Sequence, residues 1–516
     1  MIVIFLIRPT QVPRKKKSSV EEHDCLSRAS DWLIDRLPAW AVFPLDYSTF
    51  PVIVVLVLWA MQVISIKDIW ISLIGHPDSN LKPYSIIVLF FSLAYMSLSL
   101  DITGLFGFIA AKAIGLSGGS GIRLFLTFFA LSSVITIVTS NDIVILTLTP
   151  IICAMASFAS LSLETTHALL FSQFFAANIW SMLLFIGNPT NIVVAQAFSL
   201  DFVGYSRWMA LPTIAAGFTC LLVLYFLFSR KGAIPPTVPM PTIDPWQNFI
   251  DIPGAIFGSI FFTICIIFIA TSSVTHLPIW AITVAGCALM LTKDLFFDFR
   301  IRWRHQSATH SVEMASITTS NTSTSISEAP VQLELDERPP TSSPPVYAYV
   351  TPLVLSRLPW KVAPFVVGVF IIVEAMSVTG LTGFMASALT LACGTSDSAS
   401  SIFASIFIAG STSALACNVV NNQPMTIMYT NVLLDSHMRL GPKALQGAMF
   451  AVVAGSNLGG NMTLIGALAG IMWKSILSSK GVQLSAGQFA KYGFLTTIPV
   501  LLVTCLTLYA EMVASR

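Results

Sequence analysis

Residues 401–434 read SIFASIFIAGSTSALACNVVNNQPMTIMYTNVLL, an apolar run cut at Asn418-Val419-Val420-Asn421-Asn422-Gln423-Pro424. Hydrocarbon offers nothing to the backbone groups such a break sets free, and each unpaired group is costly there. Non-helical backbone at membrane depth therefore survives only where protein or a wet cavity surrounds it. The stretch is read as a hairpin of two half-helices that dips into a bilayer and returns, with its polar tip at a binding site.

The rest of the chain supplies the bilayer argument. Of 516 residues, 55% are hydrophobic and 10% charged, whereas a soluble chain carries about 25% charged residues. This excludes a soluble enzyme and a disordered scaffold, and a net charge of +2 leaves no basic face for nucleic acid. Apolar runs of the kind that span membranes recur at 50–66, 83–101, 123–138, 143–160, 166–199, 209–228, 253–270, 276–292, 363–377, 401–417, 425–434, 444–477 and 493–511. The expected fold is an all-α polytopic membrane protein. Seven of the eight cysteines lie in or beside these runs and none forms a C-x-x-C pair, so they read as packing residues. The apolar start Ile2–Ile7 is too short for a cleavable signal.

The expected organisation is a cytosolic N-terminal arm (1–48), a first membrane repeat (49–228), a Pro-rich cytosolic linker (229–251), two helices that open a second repeat (252–292), a disordered cytosolic loop (293–361) and the remainder of the second repeat (362–516). In the arm, Trp32, Leu33, Leu37 and Trp40 could lay a short helix on the membrane surface. The loop begins with Arg300, Arg302 and Arg304 and carries a Ser/Thr run at 315–327. Each repeat gives, in order, an apolar helix, a run with an Asn-containing break, a second run broken by Gly/Asn, and a simple span. With the first broken run of each repeat taken as a hairpin, five crossings separate the helices starting at 83 and 363, so the repeats are inverted. The same topology, with a cytosolic N-terminus, puts 21 of the 27 Lys/Arg residues inside.

The breaks are Thr139–Asp142, Gly187–Asn191, Asn418–Pro424 and Gly455–Thr463. Short amides and hydroxyls there can cap loose helix ends and still offer hydrogen bonds to a solute. No Lys or Arg occurs in 124–206, 362–438 or 444–473, and Asp142 is the one acid in the breaks. A carboxylate at membrane depth is functional by default, so Asp142 is the expected carrier of a coupling proton. Asp101 and Glu374 read as helix-terminal structural groups, and Cys417, beside the third break, as packing. No catalytic pair, metal cluster or nucleotide motif is present, so neither an enzyme nor a cofactor is expected.

SNDIVILTLTPII (140–152), GNPTNIVVAQAF (187–198), NVVNNQPMTIM (418–428) and GSNLGGNMTLIGALAGIMW (455–473) resemble, in order, the signatures of the arsenite/antimonite permeases of the ion transporter superfamily. The resemblance implies a homodimer with scaffold and transport portions, elevator-like movement, and a site of two hairpins and two broken helices. By motif position the substrate-binding residues would be Asn141, Asn188, Thr190, Asn191, Asn421, Asn422, Pro424, Ser456, Asn457 and Thr463, with Asp142 as the coupling residue. The chain departs from the family where Asn457 replaces an Asp, where Asn461 replaces a more basic residue, and where a single run, 50–66, precedes the helix at 83. The expected function is proton-coupled efflux of arsenite, antimonite or a similar neutral hydroxide such as silicic acid, in the plasma membrane, with an internal membrane as the alternative location. The alternatives are a sodium- or proton-coupled carboxylate or inorganic anion carrier, and an anion channel. The expected partners are a small solute, the lipid bilayer and a second copy; a separate ATPase subunit on the cytosolic loops stays open.

Overall fold

The computed structural model describes residues 46–77, 80–239, 244–275, 277–320 and 349–515. In chain order the helices are α1 (Thr49–Ala60), α2 (Ile66–Ile74), α3 (Pro83–Ile102), α4 (Leu105–Leu116), α5 (Gly121–Val138), α6 (Asn141–Phe158), α7 (Leu163–Trp180), α8 (Pro189–Ala197), α9 (Phe202–Ser229), α10 (Ile252–Ala270), α11 (Ser272–Thr275), α12 (Ile279–Ser320), α13 (Val350–Arg357), α14 (Val362–Val378), α15 (Leu381–Cys393), α16 (Ala399–Val420), α17 (Asn422–Leu434), α18 (Pro442–Gly459), α19 (Leu468–Ser479) and α20 (Ala486–Ala514). Short 3₁₀ turns lie at Phe185–Gly187 and Pro245–Asn248. Among the described residues nine candidate spans are long and apolar enough to cross a bilayer. The chain is an all-α multi-pass membrane protein.

Many helices start where the side chain before them accepts the first free N–H. Ser162 accepts from Thr165 at 3.1 Å, Asp201 from Gly204 at 2.8 Å and Asp251 from Gly254 at 3.0 Å. Ser485 and Gln488 form a reciprocal capping box at the start of α20.

The described residues divide into two compact units, those within 1–88, 110–243 and 359–516, and those within 89–109 and 244–358. In the first unit, α5–α6 and α16–α17 are the two hairpins. The α16–α18 contact is the most extensive, and α9 packs on α20. An aromatic cluster fixes α7, α19 and α20 together: Phe174 and Trp473 have ring centroids 4.8 Å apart, and Phe489 lies 5.6 Å from Trp473. Trp473 and Phe174 are fully buried. Thus the helices that flank the two broken segments are held by rings, which fixes the segments themselves. In the second unit α10 packs on α12 and α13 on α12, with Gly258 close against Leu100 and Met290.

Several sequence expectations shift. The stretch between the runs at 83–101 and 123–138 contains the 12-residue helix α4. The run 50–66 is helical only as α1, through Ala60, and a second short helix, α2, follows it, started by a capping box of Ser65 and Asp68. Residues 293–320, expected in a disordered loop, continue α12. Asp294 is buried there, accepting from Tyr95 at 2.9 Å and Ser99 at 3.0 Å, so tertiary partners order the start of that stretch. Residues 350–357 are also helical, with Asp298 accepting from Val350 at 2.6 Å and Thr351 at 2.9 Å. The surface helix expected around Trp32–Trp40 and the middle of the 293–361 loop (321–348) fall outside the described residues.

Candidate functional site

The element order repeats, with a short helix in each repeat that the sequence reading did not include: helix (α3; α14), short helix (α4; α15), hairpin (α5–α6; α16–α17), broken segment (α7–α8; α18–α19), long helix (α9; α20). The hairpin turns are much tighter than the polar stretches that announce them. Between α5 and α6 only Thr139 and Ser140 leave the helix. Thr139 Oγ1 donates to the Ile135 carbonyl at 2.7 Å, and Asn141 Oδ1 accepts from the Asp142 N–H at 2.9 Å. Between α16 and α17 only Asn421 leaves it, at φ +75° and ψ 154°. That region is essentially confined to glycine and costs on the order of 1–3 kcal/mol. The strain is held by partners: Asn421 Nδ2 donates to the Ile465 carbonyl at 3.0 Å, and the Asn422 N–H to the Gly466 carbonyl at 3.0 Å.

The fourth break also moves. The sequence places it from Gly455, but α18 stays helical through Gly459 and the open backbone is 460–467. Gly455 and Gly459 serve packing: a Cβ on Gly455 would strike Ser413 Oγ, and one on Gly459 would come to 2.6 Å from the Ala414 carbonyl oxygen. They let α18 lie tightly on α16.

Asn457, on the last turn of α18, is the node of a buried network. Its Oδ1 accepts from Ser181 Oγ at 2.9 Å and from Asn188 Nδ2 at 2.7 Å; its Nδ2 donates to Asn191 Oδ1 at 2.7 Å and to the Val453 carbonyl at 2.8 Å. Asn188 Oδ1 also caps α8, accepting from the Thr190 N–H at 3.2 Å, and Asn191 Nδ2 donates to the Ser181 carbonyl at 2.8 Å. Ser456 Oγ reaches Thr190 Oγ1 at 3.2 Å. A second chain runs from the first hairpin to the second broken segment: Asn141 Nδ2 donates to Asn178 Oδ1 at 2.9 Å, and Asn178 Nδ2 to Asn461 Oδ1 at 2.8 Å. Thr463 Oγ1 donates to Asn418 Oδ1 at 2.6 Å. The 460–467 segment and the end of α18 thereby tie together both hairpin tips and the other broken segment.

Of the residues singled out from sequence, Asn188, Thr190, Asn191, Ser456 and Asn457 meet in one cluster, and Asn141 joins through Asn178 and Asn461. Asn421, Asn422 and Thr463 bond locally between the second hairpin and the fourth break. Pro424 lies elsewhere, on an apolar cavity of about 300 Å³ lined also by Tyr47, Phe365, Val369, Met376 and Met428. The Asp142 carboxylate is half-buried and has no hydrogen-bond or ion-pair partner among the described residues. Asn178 and Ser181 escape sequence reading because they sit inside the apolar FAANIWS stretch ahead of the visible break. Gln423, two residues past the strained Asn421, is buried with its Oε1 unpaired. Cys417 packs under the site, its Sγ 3.7 Å from the Gly455 carbonyl oxygen.

Chemically the cluster is a set of neutral donors and acceptors, and the acid Asp142 follows Asn141 at the first hairpin tip. Among the described residues no three His, Cys, Asp or Glu side chains gather as metal ligands. An amide network of this kind can exchange its internal bonds for those of a small polar solute at little cost, since each lost partner is replaced.

Comparison with known proteins agrees with this architecture. The family model described as Citrate transporter matches residues 37–296, half of the chain, and that described as Arsenical pump membrane protein matches residues 313–512. The arsenical pump membrane protein of Escherichia coli strain K12 is 25% identical over 473 residues, covering 89% of this chain and 96% of that protein. Its counterpart from Yersinia enterocolitica is 26% identical over 417 residues, covering 80% and 83%. The solved YdaH transporter of Alcanivorax borkumensis shares the fold at a TM-score of 0.50 and 12% identity, covering 90% of this chain and 96% of that one. The chain belongs to the ion transporter superfamily, as a member similar to the arsenical pump membrane proteins.

Proposed function

We propose that this membrane transporter is a secondary carrier that exports a small neutral hydroxide, such as arsenous, antimonous or silicic acid, in exchange for protons. The observation that carries the reading is the charge pattern of the site. It has buried amides and hydroxyls on four segments, one unpartnered carboxylate at Asp142, and no Lys or Arg in 124–206, 362–438 or 444–473. A solute with several hydroxyls can both donate to and accept from such amides. A polyanion would find no cation there and would depend on helix N-termini alone. Asp142 takes and releases the coupling proton. The working form is a homodimer in the plasma membrane, with the hairpin-bearing portion moving against a scaffold portion.

The match of the first half to the citrate transporter model favours a second reading, a sodium- or proton-coupled carboxylate carrier. Proteoliposomes offered arsenite, antimonite, silicate, citrate and chloride under imposed proton or sodium gradients separate the two. Proton-driven, saturable movement of the neutral hydroxides is expected. Sodium-dependent citrate movement would replace the first reading with the second, and non-saturating chloride current would point to a channel. In the same assay Asp142→Asn should abolish proton-driven transport, and unchanged transport would remove Asp142 from the mechanism.

A further inference from the structure

The end of α12 sorts its charges by face. At 3.6 residues per turn, Asp294, Phe297, Asp298 and Ile301 fall on one side. Both acids there are occupied inside the same unit. Asp294 is fully buried, accepting from Tyr95 at 2.9 Å and Ser99 at 3.0 Å and pairing with Lys293 at 2.7 Å. Asp298 accepts the first N–H groups of α13, from Val350 at 2.6 Å and Thr351 at 2.9 Å. The opposite face, spanning about 160° of the helix, carries Leu295, Phe296, Phe299, Arg300, Arg302 and Trp303. All six are exposed, the apolar four by 51% to 68%. That face has aromatic rings and positive charge and no acid. It also begins just past the apolar run 276–292, where the helix takes up its first charges, as a spanning helix does on leaving hydrocarbon. Rings settle there at the boundary of acyl chains and headgroups, and each cationic side chain near that surface attracts anionic headgroups.

We propose that this face of α12 is a binding surface for anionic phospholipid headgroups. Arg300 and Arg302 hold the phosphate and the acidic headgroup, while Phe296, Phe299 and Trp303 sit among the upper acyl carbons. With Asp294 and Asp298 engaged inward, the described end of α12 presents no carboxylate on this face. The Lys/Arg bias assigns this end of α12 to the cytoplasmic side, where anionic lipids concentrate.

The test uses the full-length protein reconstituted in phosphatidylcholine with spin-labelled phosphatidylserine or spin-labelled phosphatidylcholine as probe. Phosphatidylserine is expected to associate preferentially, with a salt-sensitive preference that falls about fivefold for each arginine removed in Arg300→Gln and Arg302→Gln. The charge-keeping pair Arg300→Lys and Arg302→Lys should retain it, which separates charge from packing. Equal association of the two probes with the wild type would overturn the proposal. So would a preference that survives the double Gln variant, or one lost in a Lys pair that still elutes as a folded protein. A Phe299→Cys variant that cross-links to a second copy would assign the face to protein and also overturn it.

Discussion

Asn457 shows how much one amide can hold. Its oxygen accepts two bonds and its nitrogen donates at least two, to groups from three segments. Asn457→Ala would leave Asn191 Oδ1 and the donors of Ser181 and Asn188 buried without that partner. Leaving a single buried group unpaired costs about 1–3 kcal/mol, so a markedly lower thermal midpoint in detergent is expected, together with loss of transport. An unchanged midpoint would mean that the neighbours re-pair. Gln423 gives the opposite expectation. Its Oε1 has no partner, so Gln423→Met, close in volume, should leave the thermal midpoint unchanged or higher. A large fall would show that the carboxamide makes a bond in the folded protein.

The tight approach of α16 and α18 depends on glycine. A Cβ at 455 meets Ser413 Oγ, and the Gly410 carbonyl oxygen stands 2.7 Å from it; both groups belong to a helix that cannot give way locally. Gly455→Ala should therefore push α18 off α16 and lower stability by the 1–3 kcal/mol typical of overpacking. Because Ser456 and Asn457 ride on the same turn, transport should fall more steeply than folded yield. Equal losses would place the effect on stability alone. The same packing explains why the polar stretch 455–461 does not mark the true break: α18 remains helical through Gly459 because α16 braces it.

For the molecule's stability, the entry to α1 supplies a pH-dependent element. Burial alone would raise the Asp46 carboxyl. Hydrogen bonds from Lys361 at 2.6 Å, the Ser48 hydroxyl and the Ser48 and Thr49 N–H groups outweigh burial and hold it down at about 2, against an ordinary 3.8. The folded value lies below the unfolded one. The stabilisation is therefore present above about pH 3.8 and disappears as pH falls toward about 2. Asp46→Asn should lower the thermal midpoint at neutral pH and narrow its gap to the wild type on acidification through that window. A gap independent of pH would assign the effect to the turn geometry. This pair joins the start of α1 to the start of α14, which also share the apolar cluster of Val55, Ile64, Ile371 and Ala375.

The membrane class, the hairpins, the repeated order of elements and most of the amide set were legible in the linear chain. Composition, the length of apolar runs and polar interruptions within them are local properties that a bilayer reads directly. Register was not legible. A stretch rich in Asn, Gly and Ser can be a helix end, an open segment or a packed helix, and its neighbours choose among these. Asn421 alone breaks the second hairpin because the Ile465 carbonyl receives its amide and the Gly466 carbonyl the Asn422 N–H, and Gly459 stays helical because Ala414 lies against it. The Asn178 amide and the Ser181 hydroxyl meet Asn461 and Asn457, residues some 280 positions away, and Asp294 is ordered by Tyr95 and Ser99 of α3. The sequence by itself determined that this protein lives in a membrane and where its polar residues are concentrated. Tertiary structure alone decided which of them meet, because an amide's partners are set by distance in space and the chain's spacing does not encode that distance.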